Sequence, residues 1–192
     1  MIGRIKPKID PLLIPVVSRL IRIGMSPNGI TAIGFLLGIL SGVMFGMGYF
    51  IAGGVVLLLS GLCDLMDGAM AKGMNMTSMF GAFIDSVADR YSDASIFIGI
   101  TWFYLWNGKE LALVITTLAF LGSFMVSYTR ARAESIIPKC DVGIMERPER
   151  LLLLAIGAFS GMMEEAMGIL AVLSNFTALQ RIIYAWKQMK KG

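Results

Sequence analysis

Histidine is absent from this sequence of 192 residues, and cysteine occurs only twice. Without histidine the chain has no imidazole base, no phosphohistidine intermediate and no member of the commonest class of zinc ligand. Cys63 and Cys140 lack the C-x-x-C spacing of metal and redox sites, and Cys63 is interpreted as a small apolar residue packed in a helix. Any general base or metal ligand in this protein is therefore expected to be a carboxylate.

Charged residues are also scarce, at 16% of the chain against about 25% in ordinary soluble domains. Hydrophobic residues make up 56% of the sequence, and the mean hydropathy is +0.74. This composition excludes a disordered chain and favours an integral membrane protein. The net charge of +4 is not gathered on a soluble face, so no nucleic-acid partner is expected. The first residues show no cleavable-signal pattern.

The hydropathy pattern predicts an all-α integral membrane protein with six transmembrane helices, forming one domain over residues 1–192. The six-helix bundle is expected over residues 28–190, with spans near 28–50, 51–72, 79–106, 111–128, 151–163 and 167–186. Residues 1–25 alternate apolar and basic positions at helical spacing, which is typical of an amphipathic helix in the membrane interface. Packing of this segment on the protein's own cytoplasmic face is the alternative.

The distribution of basic residues predicts the orientation of the bundle. Six spans place both termini on one side of the membrane, and of the 17 Lys and Arg residues only Lys109 is expected away from that side. By the positive-inside rule this side is cytoplasmic. We therefore expect a multi-pass protein of the plasma membrane whose termini, and any site on the same side, face the cytoplasm.

Four aspartates lie where the second and third predicted spans meet a short polar turn, and they are Asp64, Asp67, Asp85 and Asp89. Residues three or four apart share one helix face, so each helix presents a pair of acids. The turn brings both pairs to the same membrane depth, where ionisable groups are costly and usually functional. Convergent carboxylates of this kind favour a Mg²⁺ or Mn²⁺ site. Asp93, one turn further, is either a ligand or a supporting residue.

The spacing D-x2-D-G-x2-A-K-x8-G-x3-D-x3-D, from Asp64 to Asp89, resembles the signature of the CDP-alcohol phosphotransferases. These integral membrane enzymes move a phosphatidyl-type group from a CDP-linked lipid to an alcohol. The resemblance implies two metal ions held chiefly by Asp64, Asp67 and Asp85. It also implies that Asp89 is a ligand that takes the proton from the acceptor hydroxyl.

The same resemblance implies the residues that bind the CDP-lipid. Pro27 and Asn28 are similar to the Pro-Asn pair that precedes the first span in the family, near the nucleotide. The other implied donor-binding residues are Asp67, Gly68, Ala71 and Lys72. Lys72 replaces the usual arginine of the family, and it offers a point charge where arginine offers a bidentate fork.

The acceptor is indicated by a second group of residues, Ser127, Arg130, Arg132, Arg147 and Arg150. The segments that contain them look like those of the phosphatidylinositol-phosphate and archaetidylinositol-phosphate synthase branch, whose acceptor is inositol 1-phosphate. Guanidinium groups suit a phosphate dianion. The simpler alternative is that these arginines mark the cytoplasmic helix ends and pair with Glu134, Glu146 and Glu149.

Three further alternatives concern the substrates and the class of protein. The acceptor could be glycerol 3-phosphate or serine, and the lipid tail could be diacylglycerol or the archaeal diether. A divalent-cation transporter also places carboxylates inside a membrane, although the acids here gather at one side. The family resemblance further implies a homodimer.

Overall fold

The computed structural model describes residues 15–73 and 78–190, apart from the side chains of residues 72 and 73. All regular secondary structure in the described part is helical, as predicted. Its helices are α1 (residues 15–22), α2 (Pro27–Gly46), α3 (Phe50–Gly73), α4 (Met79–Trp106), α5 (Glu110–Glu134), α6 (Arg147–Ser160) and α7 (Met163–Met189). The chain divides into two compact units, Met1–Ile100 and Thr101–Gly192. The expectation of a single domain stays a prediction.

Helix α2 begins where the sequence predicts it. Ser26 has extended backbone angles, and its side chain accepts a hydrogen bond from the backbone N of Gly29 at 3.2 Å. Pro27 follows at the first helical position, where its missing N–H costs nothing and its fixed φ suits the helix. These two residues therefore fix the start of the helix.

Helix α2 ends at Gly46, four residues before the predicted boundary at residue 50. A turn then reverses the chain, and Gly48 adopts a φ of 83° in it. This left-handed conformation is accessible to glycine at little cost. The glycines of this segment at four-residue spacing resemble a continuing helix, so the sequence pattern hides the turn.

Four helices are long and apolar enough to cross a membrane, and they are Pro27–Gly46, Phe50–Ala71, Glu110–Glu134 and Met163–Met189. They correspond to the first, second, fourth and sixth predicted spans. Helix α5 continues through Ser127, Arg130 and Arg132 to Glu134, beyond the predicted end of its span at residue 128. The arginines of this segment therefore lie on a helix.

The other two predicted spans correspond to α4 and α6. Helix α4 has the predicted bounds of 79 and 106, and Asp85, Asp89, Arg90 and Asp93 lie in its first half. Helix α6 has 14 residues, which gives a length of about 21 Å against a hydrocarbon thickness of about 30 Å. The count of six transmembrane helices stays a prediction. Of the N-terminal interfacial helix, residues 1–14 lie outside the described part, and residues 15–22 are helical.

In the first unit, α2 packs against both α3 and α4 through small residues. Ser60 Oγ donates to the carbonyl of Gly34 at 2.8 Å, and this bond joins α3 to α2. At the crossing of α2 and α4, a Cβ added to Gly99 would lie 1.9 Å from the carbonyl oxygen of Gly42. Glycine at these positions lets the backbones touch, as in tightly packed membrane helices.

Replacing Gly99 with alanine is expected to destabilise the fold by at least about 1–3 kcal/mol, the usual cost of overpacking. The new methyl group would meet the backbone of Gly42, which cannot rotate away. Thermal unfolding of the purified protein in detergent measures the effect. Gly168→Ala is the matched control, since a Cβ there meets nothing within 4 Å. Equal unfolding temperatures for Gly99→Ala and the unmodified protein would contradict the close crossing.

In the second unit, α7 packs against α5 and α6. Asn175 Nδ2 on α7 donates to the carbonyl of Leu118 on α5 at 3.1 Å. Helix α6 joins α7 through Gly161, whose φ of 73° allows the abrupt reversal. The C-terminal parts of α5 and α7 lie side by side, and both carry basic residues in their last turns.

Candidate metal and phosphate sites

Three of the predicted aspartates meet in the first unit. Asp64 and Asp67 lie one turn apart on α3, and Asp85 lies on α4. One carboxylate oxygen from each lies within 4.8 Å of the other two. Asp67 is buried, with 6% of its surface exposed, and the other two are half-buried. The convergence that the spacing predicts is therefore present between the C-terminal part of α3 and the N-terminal part of α4.

This donor set fits a divalent cation with oxygen ligands. Two ligand oxygens across a Mg²⁺ ion are about 4.2 Å apart at most, since each bond is about 2.1 Å long. The three carboxylate oxygens lie within 4.8 Å of one another, so small side-chain movements would bring them to this spacing. Three carboxylates at such distances repel one another unless a cation balances them. Asp64, Asp67 and Asp85 could therefore hold a metal ion together.

Thr31 orients the most buried of these carboxylates. Its Oγ1 lies 2.7 Å from Asp67 Oδ2 and donates a hydrogen bond to it across the α2–α3 contact. Sequence reasoning missed this residue. The position of Thr31 could have indicated its role. It lies one turn after Pro27 and so shares a helix face with the predicted nucleotide-binding pair.

Asp89 lies one turn after Asp85 on α4 and is half-buried. Its Oδ2 is 3.5 Å from Nη2 of Arg90, and it is not part of the three-carboxylate group. Asp93 follows after another turn and is buried. The structure therefore brings together three of the four predicted metal ligands and places the fourth beside an arginine.

A cavity of about 210 Å³ opens beside the carboxylates, between α2, α3 and α4. Five of the residues predicted to bind the donor line it, namely Pro27, Asn28, Asp67, Gly68 and Ala71. Thr31, Ser78, Gly81, Ala82 and Asp85 complete the lining. Lys72 lies in the last turn of α3, and its side chain is outside the described part. The predicted donor residues and the acid cluster thus share one cavity.

The N-terminus of α4 forms one end of this cavity. Ser78 Oγ accepts a hydrogen bond from the backbone N of Gly81 at 2.9 Å, as a helix N-cap does. A Cβ on Gly81 would lie 2.8 Å from Ser78 Oγ and 3.2 Å from Asn28 Oδ1. Glycine therefore leaves room at a helix terminus whose partial positive charge favours phosphate.

The second unit contains a network of arginines and acids. Arg130 on α5 lies 3.1 Å from Glu134, 3.2 Å from Asp141 and 3.7 Å from Glu146. Lys139 also pairs with Asp141, and this hydrogen bond holds the pKa of Asp141 below its ordinary value. The acids therefore fix the Arg130 guanidinium and tie the segment between α5 and α6 to it.

Arg181 on α7 is a buried part of this network that sequence reasoning missed. It is 2% exposed, and it donates to the carbonyls of Val126 at 2.6 Å and Val142 at 2.8 Å. Its Nη2 lies 3.5 Å from the same Glu146 oxygen that faces Arg130. The positive charges of Arg130 and Arg150 repel that of Arg181. The sequence did contain one indication of this role, since a cation inside the sixth predicted span is costly there and usually functional.

The remaining predicted acceptor residues lie in different places. Arg147 and Arg150 lie in the first turn of α6, and Arg150 is 2% exposed. Ser127 Oγ bonds within its own helix, to the carbonyl of Ser123 at 3.5 Å. Arg132 is exposed and donates to Ser135 Oγ at 3.3 Å. Two residues apart on a helix, Arg130 and Arg132 point in nearly opposite directions.

Known proteins resemble the chain over its whole length. The family model described as CDP-alcohol phosphatidyltransferase matches residues 24–184. An archaetidylinositol phosphate synthase of Methanothermobacter thermautotrophicus is 37% identical over 196 residues, covering 99% of this chain and 96% of that protein. The Pyrococcus horikoshii protein of the same name is 35% identical over 193 residues, covering all of both chains.

Solved structures of phosphatidylinositol phosphate synthase from Mycobacterium tuberculosis have the same fold. The structure with CDP-DAG bound has a TM-score of 0.84 and 31% identity, and covers 92% of this chain and 94% of that one. The structure in complex with manganese and citrate has a TM-score of 0.82 and 31% identity, and it covers 90% of this chain and 88% of that one. The similarity therefore extends over both units.

Proposed function

Because the chain belongs to the CDP-alcohol phosphatidyltransferase family, we propose that it transfers a phosphatidyl-type group from a CDP-linked lipid to inositol 1-phosphate. The products are CMP and a phosphatidyl- or archaetidylinositol phosphate. The observation that carries this proposal is the convergence of Asp64, Asp67 and Asp85 on a cavity lined by the predicted donor-binding residues. The full-length similarity to synthases named for an inositol phosphate product supports the choice of acceptor.

We assign the metal site to Asp64, Asp67 and Asp85, with Asp89 as a further ligand, and expect two Mg²⁺ or Mn²⁺ ions. When bound, such ions supply Lewis-acid stabilisation of the pyrophosphate and of the attacking and leaving oxygens. The manganese complex of the M. tuberculosis enzyme supports a divalent cation. Thr31 contributes by holding the Asp67 carboxylate in its ligating orientation.

The cavity residues would hold the CDP-lipid. Gly68 and Ala71 leave the α3 backbone open to close approach by the nucleotide, and Pro27 and Asn28 lie across from them on α2. The α4 terminus at Gly81 directs its partial positive charge toward the donor phosphates. Lys72, in the last turn of α3, would add a point charge.

Asp89 is proposed to accept the proton of the acceptor hydroxyl. The hydroxyl oxygen forms a bond to the phosphorus that carries the lipid, the bond from that phosphorus to the CMP oxygen breaks, and the proton passes to Asp89. A carboxylate is the available base, since the chain has no histidine. Nη2 of Arg90 lies 3.5 Å from Asp89 Oδ2 and would orient this carboxylate.

Arginines of the second unit would hold the phosphate that the acceptor already carries. Arg130, Arg147 and Arg150 supply charged N–H donors, and Ser127 was predicted to lie with them. Arg181 adds a buried positive charge beside Glu146. Guanidinium forks bind phosphate oxygens in pairs. An acceptor with a phosphate group would therefore be preferred over free inositol.

The remaining assignments concern the membrane. We propose that α4 and α6 join the four apolar helices as spans, that α1 belongs to an interfacial segment, and that both sites face the cytoplasm. The protein would lie in the plasma membrane as a homodimer. Its lipid tail would be archaeol or diacylglycerol, and the similarity to archaetidylinositol phosphate synthases favours archaeol.

CMP release from purified protein with Mg²⁺ and a CDP-lipid tests this function. Inositol 1-phosphate, glycerol 3-phosphate, serine and free inositol would be offered separately. Turnover is expected to be at least about a hundredfold faster with inositol 1-phosphate than with free inositol, because free inositol lacks the phosphate oxygens that would accept charged hydrogen bonds from the arginines. Asp89→Asn is expected to lower CMP release about a hundredfold, as loss of a general base does.

Glu165→Gln is the control for this assay, since Glu165 is exposed at the start of α7. Preferred turnover of glycerol 3-phosphate or serine would retain the metal chemistry and overturn the assigned acceptor. Absence of CMP release with every acceptor and metal would overturn the enzymatic function and favour a protein that carries cations.

A further inference from the structure

An open groove of about 370 Å³ runs between the C-terminal parts of α5 and α7 in the second unit. Its walls are almost entirely apolar, and they include Tyr128, Ile136, Ile182, Trp186 and Met189. All five side chains are about half exposed or more, at 46–55%. Both helices are long and apolar enough to cross a membrane. The groove therefore offers hydrocarbon surface at one end of two membrane helices.

Two exposed cations, Arg132 and Lys190, lie at the edge of the same groove. Arg132 lines it and is exposed. Across the described residues, the side chain of Arg132 forms a hydrogen bond only with Ser135 Oγ, so most of the five N–H donors of its guanidinium have no protein acceptor. The ammonium of Lys190 lies 4.1 Å from the centre of the Trp186 ring. Arg181, at the floor, is already bound to protein acceptors.

We propose that this groove binds one anionic phospholipid of the surrounding membrane, with its phosphate on Arg132 and an acyl chain along Tyr128, Ile182 and Trp186. Basic pockets between helices at the cytoplasmic side of a membrane suit anionic head groups. Tyrosine and tryptophan are typical of the depth at which head groups meet hydrocarbon. The lipid is a structural or regulatory ligand, separate from the CDP-lipid cavity of the first unit.

The charge pattern distinguishes this occupant from a second copy of the chain. A helix partner at the groove would need a carboxylate for Arg132. The acids near this end of α5, which are Glu134, Asp141 and Glu146, already pair with Arg130. The two acids in the first turn of α7, Glu164 and Glu165, lie at the opposite end of that helix. A zwitterionic lipid would place an ammonium group beside Arg132 and Lys190. An anionic lipid satisfies both the apolar wall and the cationic rim.

Native mass spectrometry tests the proposal, on protein purified with equal amounts of dioleoylphosphatidylglycerol and dioleoylphosphatidylcholine and without CDP-lipid or inositol phosphate. The unmodified protein is expected to retain phosphatidylglycerol preferentially. Arg132→Gln is expected to lower that retention about fivefold, the effect of one cation near a lipid surface. Ile182→Gln, which places an amide on the apolar wall, is expected to lower it as well.

Lys187→Gln is the matched control, because Lys187 is an exposed cation in the last turn of α7 and does not line the groove. It is expected to leave the retention of phosphatidylglycerol nearly unchanged. Equal retention of the two lipids, or undiminished retention by Arg132→Gln, would overturn the proposal. A lipid-free dimer that dissociates in Arg132→Gln would also overturn it and assign the groove to a second copy.

Discussion

Replacing Asp67 with asparagine is expected to lower CMP release about a thousandfold. Asparagine keeps the size of the side chain and an oxygen that can accept the Thr31 hydrogen bond, so the fold should be retained. It removes one negative charge from the three-carboxylate group. Metal ions contribute several kcal/mol to such transition states, and about 4 kcal/mol corresponds to about a thousandfold in rate.

A binding measurement separates this effect from a general loss of activity. Mn²⁺ is expected to raise the unfolding temperature of the unmodified protein, because ligands stabilise the state that binds them. Asp67→Asn should lose most of that increase, and Glu165→Gln should retain it. Thr31→Val removes the orienting hydrogen bond to Asp67 and the 3.1 Å contact of the same hydroxyl with the carbonyl of Pro27. It is expected to cost about 10–100-fold in activity. Full activity of Asp67→Asn would contradict the assignment of Asp67 as a ligand.

The acid cluster could be predicted because every step from sequence to geometry was local. Asp64 and Asp67 share a helix face through their spacing, and the short link in the sequence to the next helix limits how far Asp85 can lie from them. The start of α2 at Ser26 and Pro27 was equally local. Such features depend on backbone hydrogen bonds and on residues a few positions apart, so the sequence alone determines them.

The partners of these residues could not be predicted in the same way. Thr31 reaches Asp67 from 36 positions earlier in the chain, and Arg181 bonds Val126 from 55 positions later. Both contacts depend on how helices pack side by side. Apolar helices pack through small residues without a distinctive long-range pattern. The single charge within an apolar span was the one trace of Arg181 that the sequence contained.

The predicted arginine set shows the limit of reading a short motif as a unit. Arg130 and Arg132 were grouped because their segment resembles that of the inositol-phosphate synthase branch and because guanidinium groups suit a phosphate. The predicted span ended before both residues. Their segment is helical to Glu134, so residues two apart face different surroundings. Arg130 meets three acids, whereas Arg132 lies in the α5–α7 groove. The different surroundings of Arg130 and Arg132 could therefore not be predicted without knowing that α5 extends to Glu134.

Replacing Arg181 with methionine is expected to destabilise the second unit by about 3–5 kcal/mol, the cost of removing one partner of a buried ion pair. Methionine fills a similar apolar volume but leaves the carbonyl of Val142 and the carboxylate of Glu146 without the guanidinium that they now contact. The same change should raise KM for inositol 1-phosphate, because the arginine cluster loses its buried support.

Two measurements separate the structural and the binding roles of Arg181. Thermal unfolding without substrates reports the structural role, and KM for inositol 1-phosphate reports the binding role. Arg181→Lys keeps the charge, but its ammonium cannot reach the carbonyls of Val126 and Val142 together with Glu146. Its stability and its KM should therefore lie between those of the unmodified protein and of Arg181→Met. Lys187→Met, on the exposed face of the same helix, should change neither quantity. An Arg181→Met protein with unchanged stability and a raised KM would show that the guanidinium serves the acceptor alone.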